Sequence, residues 1–229
     1  MIPIRDNIRS KRFPIVNVAI IIACVIVFFA QMTIKGSQNW AFEPNMLVPW
    51  RGPGTLHALE ALFLSMFMHA NIVHIGGNML FLWVFGDNVE DRMGHVRYLF
   101  FYMICGVIAT LAHSVFALFT GGGGMSLVGA SGAIAGVLGA YFVLFRHARI
   151  RTLVFLFFII TVVDLPAGLF LIIWLVFQVL SIGGGPVAYM AHIGGFAAGY
   201  LLVRLFADTS RPRPPQEPPR PRVTNLRIE

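Results

Sequence analysis

Six stretches of this chain, at about 14–34, 58–86, 97–119, 126–145, 152–181 and 186–206, are apolar over the ~20 residues that a helix needs to cross hydrocarbon. A bilayer core offers no water to backbone N–H and C=O groups, so segments that cross it must satisfy those groups internally, as helices do. Composition points the same way: 57% of residues are hydrophobic and 12% charged, about half the charged share of a soluble domain. One aqueous core cannot hide that much apolar surface. The expectation is an all-α polytopic membrane protein, with six transmembrane helices in a bundle over residues 14–206. A short segment, 1–13, precedes it and a tail, 207–229, follows. Arg9, Lys11 and Arg12 flank the first stretch, which is too long for a signal peptide and lacks a small-residue cleavage site; it reads as a retained span. No internal repeat of the transporter kind is visible.

Charge predicts the orientation, because Lys and Arg accumulate on cytoplasmic flanks. With the N-terminus inside, fifteen of the seventeen basic residues fall on the cytoplasmic side, and Lys35 and Arg51 remain outside. Both termini are therefore expected in the cytoplasm. The basic residues read as topology charges beside anionic lipid headgroups, not as a nucleic-acid footprint. Cys24 and Cys105 fall within spans, form no metal motif and read as small packing residues. The tail, with "RPRPPQEPPRPR", is too rich in proline and arginine to pack a core and should be extended near the inner leaflet.

Strongly polar side chains within spans are costly and mark candidate functional sites. Here they are His69, His74, Asn78, His113, Ser131, Asp164, Gln178 and His192. At the helical rise, Ser131 lies ~22 Å above Arg146, His192 ~18 Å above Arg204, and His74 and Asn78 ~20 and ~14 Å above Asp87. Three helices thus place polar groups in one layer below the outer surface. His74 and Asn78, four apart, share a helix face. Gly129, Gly132, Gly136 and Gly139 leave a nearly bare stripe beside Ser131, and Ala191, Gly195 and Gly199 form a second beside His192. Small residues at this spacing let membrane helices approach closely, which would bring the imidazole of His192 to the hydroxyl of Ser131.

A serine hydroxyl becomes a useful nucleophile when a neighbouring base accepts its proton, and His192 is the candidate base. Acyl transfer also needs donors aimed at the developing oxyanion. His74 and Asn78 can serve, with the Ser131 backbone N–H at the start of its helix as a third.

"GASG" at 129–132, "HANIVHIGGN" at 69–78 and "AHIGGFAAG" at 191–199 closely resemble the motifs of the rhomboid intramembrane serine proteases. Motif order and the expected topology match over about 14–206. The resemblance implies a Ser131–His192 dyad, an oxyanion hole at His74, Asn78 and the Ser131 amide, and a structural role for His69. "GDNVEDRMG" at 86–94 matches the family's turn after the second span, where Glu90 and Arg92 would tie down a helix end. It implies a movable fifth span and an amphipathic first outer loop, here about 35–57 with Trp40, Trp50 and Arg51. Some members carry an aromatic residue four after the serine, stacked on the catalytic imidazole; Ala135 stands there, so something else must hold His192.

Asp164 is ~20 Å above Arg151 at the helical rise, a depth at which a triad's carboxylate could orient His192; but a dyad needs no carboxylate, and the expected place of Asp164 is facing the water-filled cavity. A zinc protease would need H-E-x-x-H or a similar set, and an aspartyl protease two carboxylates within spans; neither is present. A channel or transporter would not call for a serine beside a histidine-bearing glycine stripe. The remaining alternative is a catalytically inactive relative that binds membrane helices. No metal or organic cofactor is expected. The expected partners are transmembrane protein substrates and membrane lipids, and an N-in protein without a targeting peptide points to a bacterial plasma membrane.

Overall fold

The computed structural model describes residues 1–48, 54–156, 159–185 and 187–208. Trp50, Arg51 and the tail from 209 onward lie outside the described residues. In chain order the elements are β1 (Ile2–Asp6), α1 (Ile15–Thr33), α2 (Thr55–Leu64), α3 (Ile72–Met93), α4 (His95–Thr120), α5 (Ser131–Phe145), β2 (Arg149–Leu156), β3 (Ile159–Pro166), α6 (Ala167–Leu180) and α7 (Tyr189–Phe206). Trp40 closes a short 3-10 turn, Ser37–Trp40, between α1 and α2.

α5 is the centre of the bundle. Every residue from Gly132 to Tyr141 is buried, as expected of a helix apolar on all sides. It packs chiefly against α7, with α4 and α3 on its other flanks. Outward faces are apolar too: Ile26 and Phe29 of α1, Phe119 of α4, Leu180 of α6 and Leu201 and Leu205 of α7 are all exposed. Apolar exposure on this scale marks a surface whose surroundings are not water. Among the described residues, α1 and α4 are long and apolar enough to cross a membrane, and α2, α5 and α6 are shorter apolar helices.

Glycines set the separation of α5 and α7. A methyl group added to Gly195 would run into the carbonyl oxygen of Gly132, one on Gly199 into that of Gly136, and one on Gly139 into that of Phe196. Gly136 also abuts the side chain of the free thiol Cys105 from α4. Backbone meets backbone, and no side chain intervenes.

The start of α1 is held from another helix. Pro14 offers no side-chain cap, and the first N–H groups of a helix need acceptors. Buried Glu90 of α3 supplies them, accepting from Val16 N at 3.0 Å and Asn17 N at 2.7 Å. Asn17 in turn donates to Leu82 O at 3.0 Å and accepts from the Tyr98 hydroxyl at 2.8 Å. Gly86 leaves the space that the Asn17 amide occupies.

Two expectations need correction. The second stretch is two helices, α2 and α3, with residues 65–71 between them, and His69 lies in that break. The stretch 152–181 is not one helix, and the chain is not all-α. Arg149–Leu156 and Ile159–Pro166 pair as antiparallel strands in which Arg149 faces Pro166 and Leu156 faces Ile159, and β1 adds along β2 to give the order β1-β2-β3. The residues explain it: Ile150, Thr152, Val154 and the run from Ile159 to Val163 are β-branched and suit a pleated surface better than a helix. Pro166, which can begin a helix but not continue one, marks where α6 starts. Residues 2–6 are thus part of the sheet.

The sheet follows the C-terminal end of α5, opposite Ser131. Asp6 at the end of β1 accepts from the Tyr141 hydroxyl of α5 and from Asn88 Nδ2 at 2.8 Å. Burial raises the Asp6 carboxyl to about 7; the Tyr141 hydrogen bond pulls it down, and nearby Asp87 pushes it further up. A folded-state value above the unfolded one favours the protonated form. That stability is present below about pH 4 and is lost as pH rises through about 7. The melting temperature should therefore fall between about pH 4 and about pH 7, and Asp6→Asn should flatten the slope. An unchanged slope in a thermal-melt series would place the pH dependence elsewhere.

Candidate active site

Ser131 is the first residue of α5, where backbone N–H groups lack partners in the helix and favour negative charge. His192 sits in the first turn of α7. The close approach of the two helices brings His192 Nε2 to 2.9 Å from Ser131 Oγ. Its other nitrogen, Nδ1, is 2.7 Å from Gln178 Oε1 on α6. A carbonyl oxygen only accepts, so the proton is on Nδ1 and the lone pair of Nε2 faces the serine hydroxyl. The indole of Trp174, one turn before Gln178, lies beside the imidazole, with ring centres 5.9 Å apart and planes at 35°.

His74 and Asn78 lie on α3, whose start is capped by Asn71: its side chain accepts from His74 N at 2.9 Å. The imidazole of His74 lies against the backbone of Gly129, where a Cβ would come within 2.9 Å of it. Gly129 also has φ +129°, a conformation that side chains disfavour. Its amide donates to Ser65 O at 2.8 Å. His74 Nδ1 accepts from Ala70 N at 3.4 Å, which leaves Nε2 to carry the proton as a donor. Asn78 is buried, and its Nδ2 has no acceptor. A buried unpaired amide donor costs about 1–3 kcal/mol, so a site that keeps one has room for an acceptor that arrives later.

These groups share one cavity of about 420 Å³, lined by His74, Asn78, His113, Ser131 and His192 among others. The polar side chains form a small patch on an otherwise apolar wall, as ligand sites do. Among the described residues, no charged side chain lines the cavity, and no His, Cys, Asp or Glu group of three or more is arranged to hold a metal. A nucleophile, a base with its proton on the far nitrogen and an unpaired donor in one cavity are the parts of an acyl-transfer site.

The structure therefore brings Ser131, His192, His74 and Asn78 together. His69 lies behind them, its ring edge-on to His74 at 5.1 Å and its backbone N accepted by Gln31 Oε1 at 3.0 Å. Glu90 caps α1, far from the cavity. Gly132, Gly136, Gly195 and Gly199 lie at helix contacts, but Gly129 precedes α5 and makes room for the His74 ring instead. Asp164 is in β3, paired with Arg151 at 3.2 Å, and does not touch His192. The depth assigned to it assumed a helical rise, and the segment is a strand. Sequence singles out Gln178 as a polar span residue but not as a partner of His192, and Trp174 not at all; their four-residue spacing, which puts the amide and the indole on one helix face, is the signal that links them.

A family model described as "Rhomboid domain" matches residues 56–209. The "RHOMBOID-like protein 1" of Arabidopsis thaliana is 30% identical over 224 residues, 85% of this chain and 54% of that protein. The chain spans about half the length of that relative. The relative comes from a plant, so it lends nothing to the bacterial location expected from sequence.

Helix contact and dyad geometry are coupled through Gly199. Gly199→Val places a branched side chain against the Gly136 carbonyl, and even ~1 Å of separation can lower the reactivity of a positioned nucleophile by ~10²-fold. The rate of Ser131 labelling by a fluorophosphonate should fall by about that factor, and thermal stability in the same detergent should fall with it. Leu201→Ala, on the exposed face of α7, should leave the labelling rate unchanged. Undiminished labelling of Gly199→Val would show that the glycine contact does not set the Ser131–His192 distance.

Proposed function

The chain belongs to the rhomboid family of membrane proteins, and from that premise we propose that it is an intramembrane serine endopeptidase acting on transmembrane protein substrates. The observation that carries this reading is the 2.9 Å contact between Ser131 Oγ and His192 Nε2, at a cavity holding the unpartnered Nδ2 of Asn78.

In the proposed reaction His192 Nε2 takes the hydroxyl proton as Ser131 Oγ bonds to the scissile carbonyl carbon. Charge moves to the carbonyl oxygen, where Asn78 Nδ2, His74 Nε2 and the Ser131 amide donate to it. The imidazolium then protonates the departing amine, leaving an acyl-serine. Water, deprotonated by His192, attacks that ester, and Ser131 leaves with the proton restored. No step needs a metal or cofactor.

We place both termini in the cytoplasm, with six spans, on the strength of the basic-residue distribution. α5 has 15 residues and spans ~22 Å, less than the ~30 Å of hydrocarbon. A helix that ends at the cytoplasmic surface with Arg146 therefore starts, at Ser131, below the outer surface. Substrates would be membrane helices that unwind locally near that depth, because a peptide carbonyl already bonded within a helix is not free for attack.

Purified protein incubated with a fluorogenic transmembrane peptide tests the reading. Ser131→Ala and His192→Ala should each abolish cleavage while leaving a folded protein. Asn78→Ala should lower kcat by roughly 10–10³-fold with a smaller change in KM. Cleavage by Ser131→Ala would overturn the nucleophile assignment. Failure of wild-type protein to cleave peptide or react with a fluorophosphonate would favour the inactive, helix-binding alternative.

A further inference from the structure

Resting on the reading of Ser131 and His192 as the dyad, we infer that Gln178 is a positioning residue: it accepts from His192 Nδ1 and so keeps Nε2 free as a base. A neutral imidazole has two tautomers of similar energy, and only the one protonated at Nδ1 can take the Ser131 proton through Nε2. An acceptor facing Nδ1 selects that tautomer and steadies the imidazolium that forms when the proton moves, the role a carboxylate has in three-residue sites.

Gln178 can fill this role because its amide cannot turn freely. Its Nε2 donates to the Trp174 carbonyl one turn back at 3.2 Å. Reversing the amide would oppose two carbonyl oxygens there and turn an NH₂ group toward His192. Oε1 is thereby aimed at Nδ1, at 2.7 Å. Trp174 flanks the ring on the same side, and Tyr189 meets it edge-on at 6.3 Å. The imidazole is held by a hydrogen bond at each nitrogen and by aromatic rings. This answers the absence of an aromatic residue at Ala135, which is fully buried. Asp164, the carboxylate on the same stretch of chain, is occupied by Arg151 in the sheet.

Gln178→Met keeps the length of the side chain and removes the acceptor; Gln178→Glu keeps the acceptor. Full-length protein in nanodiscs, labelled with ¹⁵N-histidine, would be compared in the three forms, with the His192 signals assigned by their loss in His192→Ala. Wild type should show His192 protonated at Nδ1, and Gln178→Met a mixture of tautomers. Against the fluorogenic transmembrane peptide, Gln178→Met should lower kcat by roughly 10–10²-fold with KM within about threefold. Gln178→Glu should recover most of the kcat. An unchanged tautomer in Gln178→Met, or equal losses of kcat and thermal stability in both variants, would overturn the inference, the latter marking Gln178 as a mere tie between α6 and α7. The tautomer readout needs no turnover. A tautomer shift in a protein that cleaves nothing would sustain the positioning role and sink the protease reading, whereas normal cleavage with no shift would do the reverse.

Discussion

The backbone contact between α5 and α7 is the constraint on which the candidate site depends. Ser131 and His192 are 61 residues apart in sequence and reach hydrogen-bond distance only because their helices touch without side chains between them. Gly132, Gly136 and Gly139 on one helix meet Gly195, Phe196 and Gly199 on the other through carbonyl oxygens. Where surrounding lipid is as apolar as leucine, close packing of this kind is the main force joining helices. One contact thus joins the fold and the chemistry.

The second constraint is electrical. Among the described residues, the cavity is lined by hydroxyl, imidazole and amide groups and by no charged side chain, and Glu90 at the start of α1, Asp6 beside Tyr141 and Asp164 with Arg151 lie elsewhere. A fixed charge in an apolar interior needs a partner or becomes costly. A neutral amide such as Gln178 can orient an imidazole without that cost. It supports the imidazolium less strongly than a carboxylate would, which leaves more of the transition-state stabilisation to the oxyanion donors.

Some of this was legible in the residues and some was not. Polar side chains at matching depths on separate apolar segments marked Ser131, His192, His74 and Asn78, because depth along a helix follows from counting. Glycine spacing marked which helices touch. Gly129 broke that pattern: it continues the stripe in sequence, yet it precedes the first turn and serves the His74 ring. Hydropathy also misread 152–181, since a sum over a window cannot tell an apolar strand from an apolar helix. The β-branched run and Pro166 were the only signs of the paired strands, and they count for nothing in such a sum.

The sequence by itself determined the apolar character of the chain, the family motifs and the order of the groups at the site. These depend on residue type and spacing along one segment, which the chain carries directly. Tertiary structure alone decided which polar group faces His192 Nδ1. Asp164 and Gln178 both lie on the stretch before α7, and the choice turned on direction. The strand pairing sends Asp164 to Arg151, while the turn of α6 aims Gln178, steadied by the Trp174 carbonyl, at the imidazole. Direction around an axis is set by how whole elements pack, and no local pattern encodes it.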